Sequence, residues 1–112
     1  MATREYEQWR YLIIWEFRVR AGMEERFEKV YGPQGDWAQF FSRGAGYVRT
    51  ELNHDLKNSP RYTTLDFWVS QEAYENFRRQ YATEYAVLDQ EFEELTESEL
   101  EIGKFGRVTN EP

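Results

Sequence analysis

Residues 61–71 read RYTTLDFWVSQ, and the fold turns on how this stretch is read. Its threonines, aromatics and valine suit a pleated, half-buried surface. Ser70 is a good helix N-cap, and Glu72 falls in the first turn that would follow. The stretch therefore reads as a strand that runs into a helix. At period two, Thr63, Leu65, Phe67 and Val69 share one face, and Tyr62, Thr64, Asp66 and Trp68 share the other. Asp66 places a carboxylate in a run that otherwise reads as buried, where a charge needs compensation. Arg49 and Arg18, on strands expected nearby, are candidate ion-pair partners. On this reading Asp66 is a paired strand residue near a pocket or a dimer seam.

The flanking sequence supplies the other elements. Residues 47–55, YVRTELNHD, alternate, with Tyr47, Arg49, Glu51 and Asn53 on one face and Val48, Thr50, Leu52 and His54 on the other. Residues 57–60, KNSP, have turn chemistry, so strands 47–55 and 61–69 read as an antiparallel hairpin. Upstream, residues 11–18, YLIIWEFR, read as a first strand that Gly22 ends. Met23, Phe27, Val30 and Tyr31 then recur at helical spacing. Asp36 can cap a second short helix with Trp37, Phe40 and Phe41 on one face. Downstream of Ser70, Tyr74, Phe77 and Tyr81, then Tyr85, Leu88, Phe92 and Leu95, form a helical stripe with a break near Thr83. Thr96 and Glu99 have capping-box spacing, which predicts a new helical turn closed by Gly103. Residues 104–108, KFGRV, are left for a last strand. The order is a split βαβ, the ferredoxin-like βαββαβ pattern with a four-stranded antiparallel sheet.

The chain has 112 residues, enough for one domain and too few for two. Residues 1–9 read as a flexible N-terminal arm, 10–108 as the domain and 109–112 as a tail. A net charge of −7 without a basic block disfavours nucleic acid and anionic membrane surfaces as partners. The absence of cysteine removes disulfides, thiolate nucleophiles and cysteine-ligated metals, and fits a reducing, cytoplasmic setting. The longest apolar run, residues 11–15, is too short to span a bilayer. No His/carboxylate cluster has metal-ligand spacing, no glycine pattern would cradle phosphate, and no nucleophile elbow is present.

Aromatic residues make up 18% of the chain, which calls for a large interface or a ring-lined cavity. The first strand carries large apolar side chains on both parities, Tyr11, Ile13, Trp15 and Phe17 against Leu12 and Ile14. A sheet with one wet face should alternate cleanly. The chain's own helices cover one face, so a second copy is the expected cover for the other, and a homodimer follows.

The βαββαβ order, the passage RYTTLDFWVSQEAYENF at 61–77 and the closing EIGKFGRV at 101–108 resemble the antibiotic biosynthesis monooxygenase (ABM) domain family. The most specific part is Trp68, Ser70, Ala73 and Tyr74 at the strand-to-helix passage, and the resemblance spans residues 9–108. It implies a dimeric α+β barrel with a pocket between sheet and helices in each subunit. It also implies, for some members, oxidation of polycyclic phenols or quinols by molecular oxygen without a cofactor. Heme-degrading members bind iron through a helical histidine. No expected helix of this chain carries one, which argues against that ligation.

The residues offer materials for such a site. Trp15, Phe17, Trp37, Phe40, Phe41, Trp68, Phe77, Tyr81 and Tyr85 are candidate walls for a small aromatic molecule. His54, the single histidine, and Asp66 are candidate bases. Three readings stand. The chain is a cofactor-independent monooxygenase of a phenol, anthrone or quinol, a non-catalytic dimeric binder of a hydrophobic aromatic ligand, or a structural protein whose rings are all core.

Overall fold

The computed structural model describes residues 8–110. Four strands form one antiparallel sheet: β1 (Tyr11–Val19), β2 (Tyr47–His54), β3 (Arg61–Trp68) and β4 (Thr96–Gly106), in the order β2-β3-β1-β4. Helices α1 (Glu24–Tyr31) and α2 (Asp36–Phe41) connect β1 to β2. Helices α3 (Gln71–Gln80) and α4 (Ala82–Phe92) precede β4. This is the ferredoxin-like α+β fold that the sequence order predicts. No helix among the described residues is long and apolar enough to cross a membrane.

The sequence signals around β3 act as read. The Ser70 hydroxyl accepts a hydrogen bond from the Ala73 N–H at 3.0 Å and caps α3. The hairpin pairs β2 with β3, and β3 lies against β1 with Phe17 opposite Tyr62 and Ile13 opposite Asp66. Gly46 precedes β2 with a φ of +96°, a conformation that suits glycine.

One face of the sheet carries the helices. Ile13, Phe17 and Val19 of β1 and Tyr62, Thr64, Asp66 and Trp68 of β3 are buried there. They meet Phe27, Val30 and Tyr31 of α1, Trp37, Phe40 and Phe41 of α2, and Tyr74 and Phe77 of α3. Rings therefore build most of the core.

Among the described residues, no helix covers the other face. Leu12, Ile14 and Leu65 are half-buried on it, while Leu100 and Phe105 of β4, paired beside Glu16 and Leu12, are exposed. One end is covered by the chain itself. The Trp9 ring packs edge-on against Phe67 at 5.0 Å, and Arg107 stacks on Trp9. Residues 1–7 of the expected arm, and 111–112 of the tail, lie outside the described residues, but Trp9 is packed rather than free.

Two expectations are corrected, and the position of a third is fixed. The helical turn expected at Thr96 is the start of β4. The capping-box spacing is a weak local signal, and the open edge of β1 takes residues 96–106 as a strand, with register shifts along it. The break in the helical stripe expected near Thr83 falls at Tyr81, between α3 and α4. On β2, a bulge between Tyr47 and Arg49 turns Tyr47 to the face of Thr50, so the even alternation read from the sequence fails at Val48.

Candidate active site

A cavity of about 370 Å³ opens between the sheet and the helices. Its origin is a difference in side-chain size along β3. Tyr62 and Trp68 fill the space above them, whereas Thr64 and Asp66 between them are small. Thr50 of β2 sits beside Asp66 and is also small. Over this floor stand the rings of Trp15 and Phe17 from β1, Tyr31 from α1, Trp37 and Phe41 from α2, and Tyr85 from α4. Arg78, Asp89, Glu99 and Glu101 complete the lining.

The electrostatics centre on Asp66. The Thr50 hydroxyl donates to its Oδ1 at 2.6 Å. Burial pushes the carboxyl up to about 7 from an ordinary value of 3.8, and the Thr50 hydrogen bond opposes that rise. The expected ion pair with Arg49 or Arg18 is not formed. Arg49 points to the opposite face, where it lies 3.9 Å from the Phe67 ring centre and pairs with Glu51. Arg18 is exposed near the end of β1. Among the described residues no cation forms an ion pair with Asp66, and burial leaves its carboxyl near the midpoint of its titration at neutral pH.

The other polar groups define the rest of the site. The Arg78 guanidinium stacks 3.7 Å over Tyr85 and donates to the Tyr74 hydroxyl at 2.9 Å. Burial raises the phenols of Tyr31 and Tyr85, so both keep their protons at neutral pH. Glu99 is raised by partial burial and then by the carboxylates of Asp89 and Glu93. The Trp37 indole N–H is buried, and its interaction with the Tyr31 phenol opposes the larger raising effect of burial there. No group of three or more His, Asp or Glu side chains among the described residues is placed to hold a metal ion.

Of the residues proposed from sequence, Trp15, Phe17, Trp37, Phe41, Tyr85 and Asp66 meet at the cavity. Phe40, Trp68, Phe77 and Tyr81 do not line it. They pack against one another behind its wall, with Phe40 5.0 Å from Phe77 and Trp68 5.3 Å from Phe77. His54 is also elsewhere. Its ring stacks on Tyr62 at 4.1 Å and its Nε2 lies 2.7 Å from the Ser59 carbonyl, so the ring is held as a lid on Tyr62. Sequence reasoning missed Tyr31, Thr50, Thr64, Arg78, Asp89, Glu99 and Glu101. Thr64 was findable, because it shares the face of Asp66 at period two on the same strand, whereas Thr50 is placed there by the pairing of β2 with β3. The β4 pair was hidden by the misread of residues 96–103.

No family model matches the sequence, and no curated protein matches it either. Solved structures do. SnoaB, a cofactor-independent oxygenase from Streptomyces nogalater, aligns with a TM-score of 0.72 at 21% identity, over 93% of this chain and 98% of that one. A Bordetella bronchiseptica protein provisionally described as an antibiotic biosynthesis monooxygenase aligns at 0.68 and 20% identity, over 91% and 100%. A dimeric ferredoxin-like protein from an uncultured marine organism aligns at 0.65 and 10% identity, over 99% and 98%. The chain folds as these proteins do. The resemblance carried by residues 61–77 thus reappears in three dimensions, as a likeness of fold.

Proposed function

We propose that this chain is a small oxygenase that deprotonates an electron-rich polycyclic phenol, anthrone or quinol and lets it react directly with dioxygen. The observation that carries the reading is a buried carboxylate, poised near neutrality, in the floor of a cavity walled by rings. A general base works best when its pKa lies near the working pH. Flat aromatic walls hold a polycycle by stacking and keep water from a reactive carbanion. The fold shared with SnoaB supports the same reading.

In the proposed reaction Asp66 takes a proton from the substrate CH₂ or hydroxyl. The resulting carbanion or phenolate passes one electron to dioxygen, and the radical pair combines to form a C–O bond. The Asp66 carboxylic acid returns its proton to the peroxide oxygen. For an anthrone, the hydroperoxide then loses water and leaves a carbonyl. The balance is CH₂ + O₂ → C=O + H₂O, with dioxygen as the oxidant and one oxygen atom retained in the product. Trp15, Phe17, Trp37, Phe41 and Tyr85 are the proposed walls, and His54 has no part.

The test is oxygen uptake with 1,8-dihydroxyanthrone, followed by product mass under ¹⁸O₂. A quinone carrying one labelled oxygen is expected. Tight binding without uptake would favour the ligand-binding reading, and neither binding nor uptake would sink both.

The chain is further proposed to act as a homodimer joined through the helix-free sheet face, where Leu12, Ile14, Leu65, Leu100 and Phe105 need cover. The dimeric ferredoxin-like neighbour supports this assembly. Sedimentation as a monomer at micromolar concentration would remove it.

A further inference from the structure

We propose that Thr50 and Tyr47 are positioning residues that anchor Oδ1 of Asp66 through a chain of two hydroxyls and leave Oδ2 turned to the substrate. The direction of the chain follows from proton counting. A threonine hydroxyl has one proton, and Thr50 gives it to Asp66 Oδ1 at 2.6 Å. The 2.8 Å contact between the Tyr47 hydroxyl and Thr50 Oγ1 must then have Tyr47 as donor. Burial raises the Tyr47 phenol, so it holds that proton at neutral pH. Both donors point toward the carboxylate, and each polarises the next.

The backbone is shaped for this chain. Tyr47 and Thr50 are three residues apart, and in a regular strand they would lie on opposite faces. The bulge between Tyr47 and Arg49 puts both on the helix-covered face. Bulges commonly re-aim a side chain beside an active site. Here the re-aimed side chain is the outer member of the hydroxyl chain.

The two Asp66 oxygens become unequal. Oδ1 is held, while Oδ2 makes no hydrogen bond to a described residue and belongs to a cavity-lining side chain. The other charged or titratable groups around the cavity are Arg78 of α3, Tyr85 and Asp89 of α4, Tyr31 of α1, and Glu99 and Glu101 of β4. None of them hydrogen-bonds Asp66. Burial is the larger control on how strongly Asp66 holds a proton, and the Thr50 hydroxyl is the hydrogen bond that opposes it.

The inference rests on reading Asp66 as the base, but its first test does not. The Asp66 carboxyl is titrated directly by ¹³C NMR, assigned with Asp66→Asn, in the wild type and in Thr50→Val, Thr50→Ser and Tyr47→Phe. Loss of the donor leaves the anion less stabilised. Thr50→Val should raise the midpoint by about one pH unit, a tenfold gain in proton affinity. Tyr47→Phe should raise it by less, and Thr50→Ser should restore the wild-type value. A wild-type midpoint in folded Thr50→Val or Tyr47→Phe overturns the chain. The second arm is the rising limb of kcat/KM against pH with 1,8-dihydroxyanthrone, which should move up in the same order. NMR shifts without any turnover would keep the hydroxyl chain and discard the oxygenase. Turnover with unmoved NMR midpoints would do the reverse.

Discussion

Two places on the same face of β3 lie only four residues apart and behave oppositely. At Tyr62 the space is full: Phe27 packs at 5.0 Å, His54 stacks above, and the hydroxyl donates to Glu28 at 2.5 Å. At Asp66 the neighbours are Thr50 and Thr64, and the space stays open. Each place holds one of the two candidate bases read from the sequence, His54 stacked on Tyr62 and Asp66 itself. Only one gives its group somewhere to act. The difference teaches that a polar residue becomes a site when its neighbours are too small to fill the space in front of it.

The sharpest way to break this comparison is to exchange the two candidates' fates. Asp66→Asn keeps size and can still accept the Thr50 hydrogen bond, but it cannot take a proton. It should lower kcat/KM for an anthrone by roughly 10²- to 10⁴-fold with the fold intact. His54→Ala should leave kcat/KM within about twofold and lower the melting temperature slightly, through loss of the stack on Tyr62. Steady-state oxygen uptake and thermal melts on both variants check the pair. An active Asp66→Asn or an inactive, folded His54→Ala would reverse the assignment.

Stability against pH gives the next effect. The Asp66 carboxyl titrates near 3.8 in the unfolded chain and at about 7 in the folded one. Between those values the folded state holds a proton that the unfolded state lacks. The contribution of this group is therefore full at low pH and declines as pH rises toward 7, by up to about 4 kcal/mol. Asp66→Asn removes that decline. The variant should gain on the wild type between about pH 4 and 7, level off above that, and melt several degrees higher at pH 8. Parallel melting curves would show that Asp66 is not a buried, uncompensated acid.

Much of the fold was legible because β3 and its flanks carry several independent signals. Period-two rings, turn residues at 57–60 and a serine cap all agree, and they place Asp66 on a defined face. The site was legible only in part. A cavity is a property of what is missing, and Thr50 and Thr64 advertise nothing by their chemistry. Rings at helical spacing look the same whether they line a cavity, as Trp37 and Phe41 do, or pack behind it, as Phe40 and Phe77 do. The Tyr47 bulge was invisible because regular alternation is the only reading a sequence offers before pairing is known. Residues 96–103 failed for a related reason. A strand taken up by the edge of β1 needs little local propensity, so a short capping pattern spoke louder than the sheet.

The smallest effect tests the size argument itself. Thr64 lies opposite Trp15 on β1 and Leu52 on β2, and its side chain meets the cavity. Thr64→Leu adds volume where no side chain now stands. In a packed core such a change costs about 1–3 kcal/mol through strain. Here the added methyl groups should fill open space, so the melting temperature should hold or rise. Affinity for the anthrone, read as KM or by fluorescence quenching of the tryptophans, should fall about tenfold, and the Asp66 midpoint should rise, because the added apolar volume deepens the burial that already lifts it. The matching change at the filled end, Tyr62→Phe, should do the opposite. It loses the Glu28 hydrogen bond and about 1 kcal/mol of stability, and it leaves affinity alone. If Thr64→Leu destabilises as a packed-core insertion would and binding is unchanged, the space above Asp66 is not where the ligand sits.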